Sequence, residues 1–112
     1  MAAAPGASFH DEVEKSTDEI TGKVTTIKCH GRLVSETAGA IKQGVKLLIL
    51  LGGRIVIDCA DLSYLDSSGL GALVGLKASA IKEGYCTLEF VNLSPRVQEL
   101  LRISNLTQLF LS

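Results

Sequence analysis

The sequence predicts an α/β domain: a mixed, mostly parallel β-sheet of four to five strands with helices packed on it. Three observations carry that expectation. Apolar runs of strand length alternate with segments of helical periodicity through most of the chain. The later helical segments each sit between two strand-like runs, and helical crossovers link strands that run the same way. The chain has 112 residues with 46% hydrophobic content. That supports one core, burying roughly two-thirds of the unfolded surface, and not a second.

Residues 1–7 are expected to form a flexible tail and residues 8–112 the domain. The opening MAAAPGASFHDEVEK has no basic start and no apolar segment ahead of Asp11 and Glu12, so it does not read as a secretory signal. SFHDEVEK and KVTTIKCHGRL alternate apolar and polar residues and predict two strands, separated by the turn-rich STDEITG. From Ser35, the expected N-cap, Ala38, Ile41, Val45 and Leu48 recur at helical spacing and define a buried face. Lys42 and Lys46 occupy its solvated side, where Leu50 also projects as an exposed apolar residue. The helix should stop at Gly52-Gly53; by local propensity alone, LLIL-LGGR-IVID could also form a hairpin.

RIVIDCADL reads as a strand buried on both faces, because Ile55, Val56 and Ile57 run without alternation. DLSYL follows as a loop. The next helix carries Leu70, Leu73, Val74 and Ile81 on its buried side, with the stem of Lys77 snorkelling along it, and closes near Gly84. YCTLEFVNL predicts another strand. SPRVQELLRISNL has its own helix punctuation, with Ser94 as N-cap, Pro95 at the first helical position and Asn105 as a left-handed stop. LTQLFLS reads as a last strand.

Composition excludes several classes of function. Eleven Lys and Arg against twelve Asp and Glu leave a net charge of -1, so no basic field gathers a phosphate backbone. Three Phe, two Tyr and no Trp supply few stacking platforms. No nucleic-acid partner is expected. Leu47 to Leu51, the longest apolar run, is far short of the ~20 residues a membrane helix requires, so no membrane association is expected either. Cys29, Cys59 and Cys86 lie about thirty residues apart among aliphatic neighbours, with no Cys-x-x-Cys pair. They read as buried thiols of a cytoplasmic protein.

The chemistry concentrates in DLSYLDSSGLGALVGL, Asp61 to Leu76. A serine hydrolase needs a base, and the two histidines, His10 and His30, bear no recognisable relation to Ser67 or Ser68. The segment lacks the Gly-x-Ser-x-Gly elbow. Gly69, Gly71 and Gly75 depart from the dinucleotide spacing, and eight residues separate Asp58 from Ser67; Gly71 and Gly75 instead suggest a helix side on which another element packs closely. Asp58, Asp61 and Asp66 cluster in sequence without an accompanying histidine, which suits solvation of a turn better than a metal site. No catalytic residue, cofactor or metal ligand is therefore assigned.

Two readings of the serines remain. They are capping residues that shape a helix start, or Asp66 caps the helix and leaves Ser67 exposed in its first turn, beside unpaired amides, as a phosphorylation site. A phosphate there would bring about -1.5 to -2 charges, which the helix N-terminus tolerates. An apolar or acidic partner surface docked over Leu65, Ser67 and Leu70 would not.

DLSYLDSSGLGALVGL resembles the signature of bacterial anti-sigma-factor antagonists, the small STAS-domain proteins. HGRLVSETA, LLILLGGRIVIDCADL and VNLSPRVQELLRISNL resemble other segments of that family, and together the likeness covers about Lys23 to Leu109. The resemblance implies a STAS-like fold and a non-enzymatic protein regulating transcription by partner switching. It places the phosphoacceptor on Ser67, with Ser68 as its neighbour, and a docking surface on Ser63, Leu65, Asp66, Ser67, Ser68, Gly69 and Leu70. The implied partners are an anti-sigma factor that is also a serine kinase and holds the ATP itself, and a serine phosphatase that resets the switch. A STAS domain can also serve as an interaction module in a scaffold or sensory assembly without a phospho-switch. Two features depart from the pattern. Family members often carry Gly-Glu-Leu-Asp where this chain has Gly31-Arg32-Leu33-Val34, so partner choice is expected to differ. Relatives also commonly continue into another helix beyond the position of Ser112, as expected for a trimmed or short variant here.

Overall fold

The computed structural model describes residues 9–19, 22–84 and 86–111; the expected tail lies outside them. The elements are β1 (Phe9–Asp18), β2 (Gly22–Leu33), α1 (Ala38–Leu51), β3 (Gly53–Leu65), α2 (Ser67–Glu83), β4 (Cys86–Val91), α3 (Pro95–Ile103) and α4 (Thr107–Leu111). The four strands lie in the order β1-β2-β3-β4. β1 pairs with β2 antiparallel, and β2/β3 and β3/β4 are parallel. This is the mixed sheet that the alternation of elements predicts.

The helices cover one face of the sheet. Ile27 and Cys29 of β2, Ile55, Ile57 and Cys59 of β3 and Leu88 of β4 meet Ile41, Val45 and Ile49 of α1 and Leu73, Leu76 and Ala80 of α2. Each large aliphatic side chain buried there contributes about 1.5–3 kcal/mol relative to exposure. α3 joins the same core through Val97 and Leu101. Among the described residues no helix covers the opposite face, which corrects the expectation for β3: Val56 is half-buried, and only alternate residues of Ile55–Ile57 lie inside.

Other boundaries move for identifiable reasons. β1 continues through Ser16-Thr17 to Asp18, so STDEITG contributes strand as well as turn. Ser35 does not cap α1. Thr37 Oγ1 instead accepts from Val34 N at 2.9 Å and donates to Arg32 O at 2.6 Å, building a turn from which the helix starts at Ala38. Ile49 rather than Leu48 completes its fully buried face, and Leu50 is exposed as expected, with Leu47 and Leu51 beside it. The hairpin alternative does not form. Gly52, at φ 81° and ψ −169°, adopts a conformation essentially restricted to glycine, which turns α1 directly into β3.

In α2, Ile81 faces solvent, and Lys77 does not snorkel. Only 4% of Lys77 is exposed; its amine donates to the Leu88 carbonyl, and burial holds its pKa below the usual lysine value. α2 closes at Gly84 and α3 opens on Ser94 and Pro95, as the sequence indicates. The expected fifth strand is the short helix α4. Asn105, at φ 58°, reverses the chain after α3, and α4 then brings Phe110 into the core, stacked on Phe90 with ring centroids 4.4 Å apart. Cys29 and Cys59 are buried and Cys86 half-buried, and none is bonded to another. Burial, the largest cause, pushes the Cys29 and Cys59 thiols up to about 12, so both are protonated at neutral pH.

Candidate functional site

DLSYL is not a loop. β3 runs to Leu65, with Asp61, Ser63 and Tyr64 exposed and Leu62 and Leu65 buried; two register shifts against β2 break the simple alternation there. Leu65 pairs in parallel register with Leu33 at the end of β2. Asp66 alone then separates strand from helix, and its amide donates to Leu33 O at 3.3 Å. The joint is therefore a sharp, backbone-fastened corner.

Asp66 caps α2. Its Oδ1 accepts from Gly69 N at 2.9 Å, and its carbonyl accepts from Leu70 N at 2.9 Å, the first bond of the helix. With the cap supplied by Asp66, neither serine is needed for it. Ser67 and Ser68 are exposed at the first two helical positions. Among the described residues neither side chain makes a hydrogen bond. Their amides, at the helix start, have no intrahelical partner.

The remaining residues of the expected docking surface divide. Ser63 is exposed and donates from Oγ to Gly31 O at 3.0 Å, while Leu70 is half-buried. Leu65 and Gly69 are buried. They hold up the corner from beneath and offer no side-chain surface to a partner. Gly69 has a structural reason to be glycine: a Cβ built there would lie 2.0 Å from Leu33 O. Gly71 and Gly75, expected to receive a closely packed element, instead face open space. The tight approach occurs one half-turn earlier, where the strand end meets the helix.

The acidic residues near this corner serve separate purposes. Asp58 Oδ1 accepts from Asn92 Nδ2 at 3.0 Å and from Ala60 N at 2.9 Å, and these bonds hold its carboxyl below the usual range. Asp61 faces His30, and Asp66 caps the helix. They do not converge.

At the rim of the corner, sequence reading misses a pairing. Arg32 and Tyr64 are register partners, and the Arg32 guanidinium lies 4.5 Å from the centre of the Tyr64 ring, a cation–π contact. Val34 is buried. The two residues standing where acidic ones are often found thus present one cation on an aromatic face and no charge at all.

Comparisons with known proteins bear on this geometry. A protein-family model described as Mlab, STAS domain, matches residues 16–111. A STAS-domain containing protein of Pseudomonas aeruginosa is 34% identical over 89 residues, 80% of this chain and 87% of that protein. The anti-sigma-B factor antagonist of Listeria monocytogenes is 30% identical over 97 residues, 86% of this chain and 80% of the relative. Among solved structures, the anti-sigma factor antagonist SpoIIAA in its unphosphorylated form superposes with a TM-score of 0.67 at 24% identity, over 88% of this chain and 84% of its own. The Bacillus SpoIIAA in its phosphorylated form superposes with a TM-score of 0.66 at 23% identity, over 88% of this chain and 86% of its own. These two likenesses concern the fold.

Proposed function

This chain belongs to the STAS-domain family, and from that premise we propose that it is an anti-sigma-factor antagonist, a non-enzymatic binding module switched by phosphorylation of Ser67. One observation carries the reading: an exposed serine hydroxyl, without a hydrogen bond among the described residues, stands at the first position of a helix that a neighbouring aspartate already caps. A serine needed for the cap would be unavailable to a kinase. This one is presented on a corner whose backbone is fixed by Leu33 and Leu65.

The switch requires no refolding. Unphosphorylated, the corner offers Ser63, Asp66, Ser67, Ser68 and Leu70 to an anti-sigma factor that is itself a serine kinase. The kinase holds the ATP and transfers its terminal phosphoryl group to Ser67 Oγ; the serine proton leaves and ADP remains on the kinase. The phosphate's about -1.5 to -2 charges are accepted by the free amides and dipole of the α2 N-terminus, while the partner surface meets an uncompensated charge and releases. A serine phosphatase removes the group and restores binding. The whole cycle belongs to the cytoplasm, where ATP and the transcription machinery reside. Among the described residues no helix is long and apolar enough to cross a membrane. Arg32 on Tyr64 and the buried Val34 remove two negative charges from the rim, so the cognate kinase should present a less basic surface there than kinases serving relatives with acidic residues.

Calorimetric titration with a candidate anti-sigma factor tests the binding half of this reading. The unphosphorylated chain is expected to form a one-to-one complex of micromolar affinity or tighter. A well-folded, ATP-binding cognate kinase that shows no complex would contradict it.

A further inference from the structure

We propose a second, independent site on the helix-free face of the sheet, in which His10, Glu12 and His30 bind a divalent cation of the zinc class. The site is created by register. β1 pairs antiparallel with β2 so that His10 lies directly opposite His30, and Glu12, two residues along β1, emerges on the same face. The two imidazole rings stack with centroids 4.6 Å apart and planes 14° from parallel, so the exposed His10 ring must turn for both rings to aim a nitrogen at one ion. One ligand atom from each of the three residues lies within 4.8 Å of the others.

The surroundings of His30 favour a metal ligand over a surface histidine. Its Nδ1 lies 3.0 Å from Asp61 Oδ2, reaching across to β3. A carboxylate placed beside one ring nitrogen is the kind of outer partner that orients metal-ligating histidines. The other nitrogen, Nε2, lies 3.2 Å from Glu12 Oε1. That approach does not satisfy hydrogen-bond geometry, and Nε2 is buried without a hydrogen-bond partner among the described residues. A cation held between Nε2 and Oε1 would give this buried nitrogen a partner. Two histidines and a carboxylate are a donor set zinc accepts, with a fourth position left for water.

Zinc–nitrogen distances near 2.0–2.1 Å put tetrahedral donors about 3.3 Å apart, so the site closes by rotating side chains through less than a residue's reach. His10 and Glu12 are exposed and free to make that movement, while His30 is oriented by Asp61. The bound ion would fasten the exposed edge strand β1 to β2. His10 and His30 are far apart in sequence, which is why the acidic cluster of Asp58, Asp61 and Asp66 draws attention first.

The test is calorimetric titration of zinc chloride into the untagged full chain at neutral pH, with His10→Ala, Glu12→Gln and Cys86→Ser variants checked for fold by circular dichroism. The wild type is expected to bind one zinc ion per chain in the micromolar range. His10→Ala and Glu12→Gln should each weaken binding about tenfold or more, and Cys86→Ser should leave it unchanged. Absence of binding up to millimolar zinc, affinity indifferent to both β1 substitutions, or loss of binding in Cys86→Ser would overturn the proposal.

Discussion

Gly69→Ala is expected to be the most destabilising small substitution in this protein, at about 3 kcal/mol or more. The added methyl would lie 2.0 Å from the Leu33 carbonyl oxygen and 2.8 Å from its carbon. Both are backbone atoms of β2, held in register with β3 through Leu33 and Leu65 and tied to the corner by the Asp66 amide. Neither can rotate away as a side chain would, so the start of α2 must lift from the sheet. Gly71→Ala and Gly75→Ala provide the control. They meet open space in the same helix, and alanine there should stabilise by about 0.5–1 kcal/mol each. Chemical denaturation followed by circular dichroism reads all three; an unchanged midpoint for Gly69→Ala would show that the close approach to Leu33 is not maintained in solution.

Ser67→Asp should separate binding from folding. A carboxylate at the first position of α2 faces the positive end of the helix dipole and should leave stability unchanged or raise it by about 0.3–1 kcal/mol. The same charge facing a docked partner is expected to weaken the complex by more than about 100-fold, equivalent to about 3 kcal/mol. Ser67→Ala removes the acceptor without adding charge, so it should bind like the wild type and resist release by ATP. Thermal melting and calorimetry with the same kinase measure both quantities. An affinity for Ser67→Asp equal to that of the wild type would remove the electrostatic basis of the switch.

What the sequence reveals of this molecule follows the range of the interaction involved. Short-range rules suffice for two caps, Asp66 before Ser67 and Ser94 with Pro95 before Val97, and fail at Ser35, where Thr37 bonds back to Arg32 and Val34 instead. The α1-to-β3 turn is likewise declared by Gly52-Gly53. Features made by strand pairing are not legible. Asp61 and Ser63 look like loop residues because they are polar, yet β3 carries them outward from an extended strand with one helix-free face. LTQLFLS has strand-like composition, but a place beside Phe90 for Phe110 fixes it as a helix. The need for glycine at position 69 rather than 71 or 75 depends on Leu33, and the meeting of His10 with His30 depends on register. In each case a contact distant in sequence decides among locally acceptable conformations. The proposed serine switch is legible as one of two readings because its ingredients, a cap and a displayed hydroxyl, are adjacent in the chain.

The most direct measurement is site mapping by mass spectrometry after incubating the protein with ATP and its candidate serine kinase, wild type beside Ser67→Ala. A single added phosphate is expected on the Ser67 peptide of the wild type and none on the variant. A kinase that phosphorylates another substrate but leaves Ser67 unmodified, or that modifies the Ser67→Ala protein equally, would contradict it.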